Sequence, residues 1–232
     1  LQESRHRLAH IGVWISHIPV VIPPHDGHLG PGDRQPSGTR PPGALNQVDA
    51  IYQLIEAWQL EQTEGFYILD PVLGDNGRIY VDRNLVKAMR DNLLPHANFV
   101  TPNQFELELL SGQTVRDVPS ADKAAQHLLE QNPHLKGVLV TGISHTDNSI
   151  HDRFISHTEL VDMAFKKRTS GIAGGGDLLT TIFASWLASG HSSKNSFRAA
   201  SAQAHAIIDR SSNHLEIRLL ENIDLLEPIP KL

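Results

Sequence analysis

The segment Gly174–Asp177 combines residue types that could handle a group in transfer. Three consecutive glycines precede Asp177 at the start of a helix that the apolar spacing predicts from Asp177 to Ala188. Glycine backbone N–H groups can converge on an anion without obstruction, and a helix N-terminus favours negative charge, so the segment suits a phosphoryl group in transit. Asp177 beside such an anion hole could act as general base towards an attacking hydroxyl. A flexible linker followed by an Asp-capped helix is the alternative interpretation.

Polar residues also end three short apolar runs that are typical of buried strands. Asp70, Thr101 and Thr141 each stand at the carboxyl end of such a run. Open α/β sheets bind ligands in the crevice beyond the carboxyl ends of their strands. Any one of the three residues could equally well mark the end of a strand without binding a ligand. The three together favour a shared ligand site.

A further candidate is the sequence TPNQFE, which is typical of a helix start. Thr101 is the predicted cap, Pro102 fits the first helical position, and Gln104 completes a capping box. Asn103 and Glu106 then project from a first turn whose free N–H groups favour an anion or a hydrated metal. A capped helix without any ligand explains the first three residues fully, but it does not explain Glu106.

Other motifs carry less information or exclude a class of protein. His25 and His28 have a spacing that could ligate a metal, but 14 histidines make such a pair easy to obtain by chance. The sequence contains no G-x-x-x-x-G-K-[ST] pattern, which excludes a Walker-type nucleotide site. It also contains no G-x-S-x-G elbow, which argues against a hydrolase.

The composition of the chain argues against several classes of protein. The 232 residues suit one large α/β domain or two small ones, and no run approaches the roughly 18 apolar residues of a membrane helix. The absence of cysteine excludes disulfides and thiol catalysis and fits a reducing cytosol. The 26 acidic residues outnumber the 20 basic ones without clustering, which argues against a nucleic-acid partner. We therefore expect a soluble cytoplasmic protein with no membrane partner that acts on a small molecule.

The elements that must position these residues alternate along the chain. Short apolar runs alternate with helical patterns, which predicts a three-layer α/β/α sandwich with a mostly parallel central sheet. The predicted strands are Phe66–Asp70, Asn98–Val100, Gly137–Gly142, Phe154–Ile155 and Leu160–Ala164. The predicted helices start at Asn46 as cap, near Asn84, and at Ser120 as cap, and later span Asp177–Ala188 and Asn195–Asp209.

Residues 1–45 differ from the rest of the chain. An apolar strand is predicted over Ile11–Ile22 with an interruption at Pro19, and seven of the 14 prolines lie between Pro19 and Pro42. The proline-rich part cannot form a regular helix and is unfavourable for a β-strand. It predicts either a long functional loop or an altered or truncated N-terminal part.

Several motifs in this order resemble the pyridoxal kinase group of the ribokinase-like superfamily. They are DPVLGD from Asp70, GRIYV from Gly77, TPNQFELELLSG from Thr101, LVTG from Leu139 and GGGDLL from Gly174. The resemblance covers about residues 46–228 in the family's order and spacing, and TPNQFE combined with DPVLGD is highly specific. It implies one ribokinase-like kinase domain over residues 1–232, with 46–228 as its core and 1–45 as an atypical part.

The resemblance implies transfer of the γ-phosphoryl group of ATP to the 5′-hydroxymethyl of pyridoxal, pyridoxine or pyridoxamine, as in pyridoxal 5′-phosphate salvage. It also implies Mg²⁺, a monovalent cation such as K⁺, and a homodimer. The implied catalytic residues are Asp177 as base, with Gly174, Gly175 and Gly176 holding the phosphoryl group. The implied ATP-binding residues are Asp70, Thr101, Asn103, Glu106 and Thr141. Tyr80, through its backbone, and Glu106 are implied near the metal, and His25, Gly176 and Asp177 near the vitamin.

Departures from the family pattern keep other interpretations open. The family's first strand carries a Ser-His or Ser-Gln pair that has no counterpart here, so the fold is expected with that strand missing or altered. Gly175 stands where the family usually has Thr or Ala. One alternative is a hydroxymethylpyrimidine kinase, although that branch usually has Cys in place of Asp177. The other is a catalytically impaired or incomplete homologue that binds nucleotide without turnover.

Overall fold

A computed structural model of the chain describes residues 44–61, 65–144, 148–167, 174–211 and 217–226. The strand predicted at Ile11–Ile22, the proline-rich segment and His25 lie outside these residues. None of the helices in the described ranges is long and apolar enough to cross a membrane.

The helices follow the predicted order. They are α1 (Ala44–Glu61), α2 (Arg83–Ala88), α3 (Gln104–Ser111), α4 (Val118–Gln131), α5 (Gly175–Ala188) and α6 (Ser193–Arg210). A π-helical turn at Met89–Leu93 and a 3₁₀ turn at Leu94–His96 extend α2, and a second 3₁₀ segment spans Leu220–Leu225.

Seven strands form two sheets in the described part of the chain. They are β1 (Ile68–Leu69), β2 (Gly74–Asp75), β3 (Arg78–Ile79), β4 (Phe99–Val100), β5 (Gly137–Ser144), β6 (Ser149–Ile155) and β7 (Leu160–Lys166). The main sheet has the order β1-β4-β5-β6-β7, and β2 and β3 form a separate hairpin.

Four of the five strands of the main sheet point the same way. The pairs β1–β4 and β4–β5 are parallel, whereas β6 runs antiparallel to both of its neighbours. The connection from Ser144 to Ser149 is too short for a helical crossover, so β6 has to return antiparallel. The expectation of a mostly parallel sheet flanked by helices is confirmed, with this one reversed strand.

The sheet separates two apolar cores because successive strand residues face opposite sides. Val138 and Val140 of β5 face the core shared with α1–α4, which includes Leu107. Leu139 faces the opposite core, in which Phe183 of α5 packs. This alternation along one strand places helices on both faces and produces the three-layer sandwich.

The predicted helix start at Thr101 is wrong by two residues. The cap of α3 is Asn103, whose Oδ1 accepts the N–H of Glu106 at 2.9 Å, while Glu106 Oε2 accepts the N–H of Asn103 at 2.9 Å. Thr101 continues the ladder instead, because its N–H donates to the carbonyl of Leu69 at 3.0 Å. Gln104 takes no part in the capping box: its Nε2 donates to the carbonyl of Val115 at 2.9 Å.

Two other predicted caps also lie inside their helices. The cap of α4 is Asp117, and Ser120 is the third helical residue that completes the capping box. Pro119 follows Asp117 closely and fits the first turn because it has no N–H to satisfy, so the helix begins before Ser120. Helix α1 begins at Ala44, a strong helix former, two residues before Asn46.

Candidate active site

Three parallel, adjacent strands bring Asp70, Thr101 and Thr141 to one edge of the sheet. Asp70 follows β1 and Thr101 follows β4, whereas the prediction that Thr141 ends its strand is wrong, because β5 continues past a bulge to Ser144. The N–H of Thr141 donates to the carbonyl of Pro102 at 3.0 Å, and Thr141 forms a parallel bridge with Asn103. This edge is the carboxyl end of the parallel strands, where open α/β sheets bind their ligands.

Helix α5 reaches the same edge through a buried threonine. Thr180 Oγ1 lies 3.0 Å from Asp70 Oδ2 and 2.9 Å from Thr101 Oγ1. Each hydroxyl carries one proton, so Thr180 can donate to Asp70 while it accepts from Thr101. Thr180 stands one turn after Asp177 on α5. The contact therefore fixes the N-terminal turn of α5, with Asp177, beside the ends of β1 and β4.

The Asp70 carboxyl has an altered acidity. Burial, the negative charge of Glu106 and, to a smaller extent, the charge of Asp177 together raise the pKa of Asp70 to about 7, against the hydrogen bond from Thr180, which lowers this pKa. The charges of Glu106 and Asp177 thus both reach Asp70 at this edge. Such a concentration of negative charge suits a bound cation.

Glu106 is a buried carboxylate with backbone donors on both oxygens. Its Oε1 accepts the N–H of Leu73 at 2.7 Å, and its Oε2 accepts the N–H of Asn103. Burial raises the pKa of Glu106, and these backbone hydrogen bonds oppose that rise. Oε1 also accepts the N–H of Gly74 at 3.4 Å, whereas Oε2 has a second lone pair that could bind a cation.

The β2–β3 hairpin is attached to the start of α3. Asn103 Nδ2 donates to the carbonyl of Gly74 at 2.8 Å, and the N–H of Tyr80 donates to the carbonyl of Leu73 at 2.9 Å. The Tyr80 side chain is 64% exposed, while its backbone N–H is bonded within this hairpin region. A role of the Tyr80 backbone near the metal stays a prediction.

The donor set fits Mg²⁺ held jointly with a substrate. Mg²⁺ prefers oxygen ligands, and kinases usually bind it through one or two carboxylates together with substrate phosphates. Asp70 and Glu106 are close enough for the charge of one to raise the pKa of the other. Among the described residues, no group of three or more His, Asp and Glu side chains could form an all-protein cage.

The N-terminus of α5 supplies backbone donors. Gly174 is the cap with φ +94°, and the first intrahelical hydrogen bond runs from the N–H of Leu178 to the carbonyl of Gly174. The N–H groups of Gly175, Gly176 and Asp177 have no partner within the helix. A Cβ on Gly176 would meet no atom of the described residues within 4 Å, so these residues leave space for a ligand at this turn. Asp177 is the third helical residue, so the Asp-capped alternative is wrong.

The structure brings together most of the residues that the sequence singled out. Asp70, Thr101, Asn103, Glu106, Thr141, Asp177 and the backbone of Tyr80 lie at or next to one edge, whereas His25 is outside the described residues. Thr180 is not among the residues predicted from the sequence, because Thr180 and Thr181, three and four residues after Asp177, both lie on the Asp177 side of the helix.

Comparison with known proteins identifies relatives for most of the chain. The model of the phosphomethylpyrimidine kinase family matches residues 42–218. The pyridoxal kinase of Arabidopsis thaliana is 28% identical over 147 residues, which cover 62% of this chain and 48% of the relative. Pyridoxal kinase PdxY of Photobacterium profundum is 26% identical over 194 residues, which cover 80% and 66% of the two chains.

Solved structures support the fold. The crystal structure of pyridoxal kinase from Entamoeba histolytica superposes with a TM-score of 0.69 at 26% identity and covers 79% of this chain and 67% of that chain. A structure of the same kinase with PLP gives a TM-score of 0.70 at 25% identity over 81% and 66% of the two chains. The chain spans about half the length of several curated relatives that it matches. The chain belongs to the phosphomethylpyrimidine kinase family and has the ribokinase-like fold of the pyridoxal kinases.

Proposed function

We propose that this chain is a kinase domain that transfers the γ-phosphoryl group of ATP to the 5′-hydroxymethyl group of pyridoxal, pyridoxine or pyridoxamine. The observation that carries the proposal is the contact of Thr180 with Asp70 and Thr101, which puts the glycine-rich start of α5 beside the strand ends. A backbone anion hole, a carboxylate base and a cation site then share one edge. Phosphoryl transfer depends on positioning and electrostatics, which these elements supply.

Each residue has a specific proposed part in the transfer. The N–H groups of Gly175 and Gly176 hold the oxygens of the group in transfer, since they have no partner in the helix. The Asp177 carboxylate accepts the proton of the vitamin's hydroxyl as the hydroxyl oxygen attacks the γ-phosphorus of ATP, and the bond from that phosphorus to the bridging oxygen breaks to release ADP. Asp70 and Glu106 hold Mg²⁺, which when bound neutralises charge on the ATP phosphates.

The names of the relatives support the vitamin as substrate. The Arabidopsis, Photobacterium and Entamoeba proteins are named pyridoxal kinases, and the Entamoeba enzyme has been solved with PLP. Glycine at position 175 retains the backbone donor, which is the part of the residue that this role needs. K⁺ as a second cation, a homodimer and a cytoplasmic location stay predictions.

A hydroxymethylpyrimidine kinase is the second candidate function. The observation that favours it is the family match itself, which is described as phosphomethylpyrimidine kinase. Asp177 at the helix start and the continuation of TPN as QFE favour the vitamin B6 branch.

A side-by-side assay separates these possibilities. ADP release from ATP–Mg²⁺ is measured with pyridoxal, pyridoxamine and hydroxymethylpyrimidine at equal concentrations. We expect turnover with the B6 vitamers that exceeds turnover with the pyrimidine. Preference for the pyrimidine would support the second candidate, and nucleotide binding without ADP release would indicate a homologue that has lost turnover.

A further inference from the structure

We propose that Asp152, a buried carboxylate on β6, is a positioning residue for the nucleotide side of the site. It holds a β-bulge at Thr141 and Gly142, and two side chains of α6 hold the Asp152 carboxylate in turn. The inference rests on the proposed function, because Thr141 is one of the ATP-binding residues that the family resemblance implies. It assigns a role to a charged group that the transfer step itself does not use.

The bulge is visible in the register of β5 and β6. Val140 pairs with Arg153 and Ile143 pairs with His151, so two residues of β5 stand opposite Asp152. Gly142 has φ +69°, a left-handed conformation that favours glycine. Bulges next to active sites redirect side chains or end the pairing of strands, and this one lies at the ligand edge of the sheet.

Asp152 supplies the acceptor that the bulge removes from the ladder. The N–H of Gly142 donates to Asp152 Oδ1 at 3.0 Å. On the other side of the bulge, the N–H of Thr141 donates to the carbonyl of Pro102, and Thr141 bridges Asn103. Thr141 is therefore held between the β6 carboxylate and the first turn of α3, where Glu106 closes the capping box.

Helix α6 fixes the second oxygen of the carboxylate. Asp152 Oδ2 accepts from Ser201 Oγ at 2.7 Å and from His205 Nε2 at 2.9 Å. Ser201 and His205 are four residues apart and so share one face of the helix. Asp152 is 1% exposed, and the Phe165 ring stacks on the His205 ring at a centroid distance of 3.6 Å. The carboxylate thus has three donors and little freedom to move.

A buried carboxylate such as Asp152 contributes little net stability to the fold. The desolvation of the carboxylate offsets much of what its donors contribute, and an apolar group of similar shape would often stabilise as much. What an apolar group could not do is accept the N–H of Gly142 at a defined point. Helix α6 also reaches the other half of the site, since Ile208 Cδ1 lies 3.2 Å from the position of a Cβ on Gly175.

The test compares two carboxylates on nearby elements. Asp152→Asn retains the shape but has only one acceptor oxygen for three donors. We expect its Kd for ATP–Mg²⁺, measured by calorimetry, and its KM for ATP to rise about tenfold, the equivalent of 1.4 kcal/mol. Neither kcat nor the KM for pyridoxal should change by more than about twofold, since Asp152 touches no reacting group.

Asp122→Asn is the matched control. Asp122 Oδ1 accepts from Arg153 Nε at 3.0 Å, so this variant also removes a carboxylate beside β6, but without contact to the bulge. It should lower the melting temperature and leave the affinity for ATP–Mg²⁺ unchanged. Equal ATP affinity in Asp152→Asn and the wild type, or equal losses in both variants, would overturn the inference.

A milder variant covers the case in which Asp152→Asn does not fold. Ser201→Ala removes one donor to the carboxylate and should raise the Kd for ATP–Mg²⁺ about threefold; an unchanged Kd in this variant contradicts the inference. Failure of the wild type to bind ATP–Mg²⁺ would overturn the proposed function and the inference with it. Binding by the wild type with no change in the variants would overturn the inference alone.

Discussion

The hydroxyl of Thr180 lies 3.0 Å from Asp70 Oδ2, although 110 residues separate the two in the sequence. The same oxygen lies 2.9 Å from the hydroxyl of Thr101. These contacts join helix α5, which carries Asp177, to the ends of β1 and β4. The relative position of the proposed base and the proposed cation site is therefore set by side chains inside the site.

Thr180→Val removes this hydroxyl and keeps the shape of the side chain. Asp70 and Thr101 each lose a partner in a buried place, so the free energy of unfolding should fall by about 1–3 kcal/mol. Loss of positioning should lower kcat about 10–100-fold in the ADP-release assay. Thr180→Ser should restore most of the rate.

Ser185→Ala is the control for Thr180→Val, because its hydroxyl donates to the carbonyl of Thr181 at 2.8 Å farther along the same helix. It should leave kcat unchanged. A Thr180→Val variant with the wild-type rate would show that the hydroxyl does not position the site.

The raised pKa of Asp70 predicts a dependence of stability on pH. Burial and the charge of Glu106 raise this pKa from 3.8 to about 7, so the folded chain binds the proton more tightly than the unfolded chain does. Folding then takes up a proton within this window, and the Asp70 contribution to stability falls as the pH rises from 3.8 to about 7. Asp70→Asn has no charge to bury and still accepts from Thr180.

The measurement is the melting temperature of both proteins across this pH range in buffer free of divalent cations. The advantage of Asp70→Asn over the wild type should grow up to about pH 7 and then level off. A difference that is constant with pH would mean that the Asp70 carboxyl keeps its ordinary acidity.

Glu106→Gln separates the structural and cation-binding parts of one carboxylate. Gln has a single acceptor oxygen, so it can serve the N–H of Leu73 or of Asn103 but not both, and stability should fall by about 1–3 kcal/mol. The loss of charge should raise the Mg²⁺ concentration needed for half-maximal activity at least about tenfold. A Mg²⁺ titration of activity provides the measurement.

Glu108→Gln is the same substitution on the same helix. Glu108 Oε2 accepts the N–H of Val115 at 2.9 Å, a bond that the Gln oxygen can still accept, so both stability and the Mg²⁺ requirement should hardly change. An equal Mg²⁺ requirement in Glu106→Gln and Glu108→Gln would remove Glu106 from the cation site.

Nucleotide binding has its own test. A ligand that binds only the folded state stabilises it by about 2.7 kcal/mol at 100 times its Kd, so ATP with Mg²⁺ should raise the melting temperature even where turnover is slow. ATP with a chelator should give a smaller shift, because Asp70 and Glu106 repel an uncompensated phosphate. No shift at millimolar ATP–Mg²⁺ would show that the strand ends do not form a nucleotide site.

The positions of strands and helices are largely predictable here because they depend on local apolar spacing. The run Gly137–Gly142 predicts β5 to within two residues. Helix caps are less predictable, since Thr101 and Asn103 are both good capping residues. The choice between them depends on the carbonyl of Leu69, more than 30 residues away, which takes the N–H of Thr101 into the sheet.

The candidate site likewise has a part that can be predicted from the sequence and a part that cannot. Asp70, Thr101 and Thr141 are predictable as a group because parallel strands end at one edge. Two hydrogen bonds are not predictable, because each joins residues from different elements: Thr180 to Asp70, and the N–H of Gly142 to Asp152. Nothing in the spacing of the sequence states which threonine of α5 faces the sheet.

The most direct test of the central claim is the formation of pyridoxal 5′-phosphate from pyridoxal and ATP–Mg²⁺ by the wild type and by Asp177→Asn. Asp177 is the third residue of α5 and not its cap, so the substitution should leave folding and ATP binding nearly intact. A positioned base contributes about 10²–10⁴ in rate, so we predict product formation by the wild type and a loss of that size in the variant. A wild type that binds ATP–Mg²⁺ but forms no product, or a variant that retains more than about a tenth of the wild-type rate, would contradict the account.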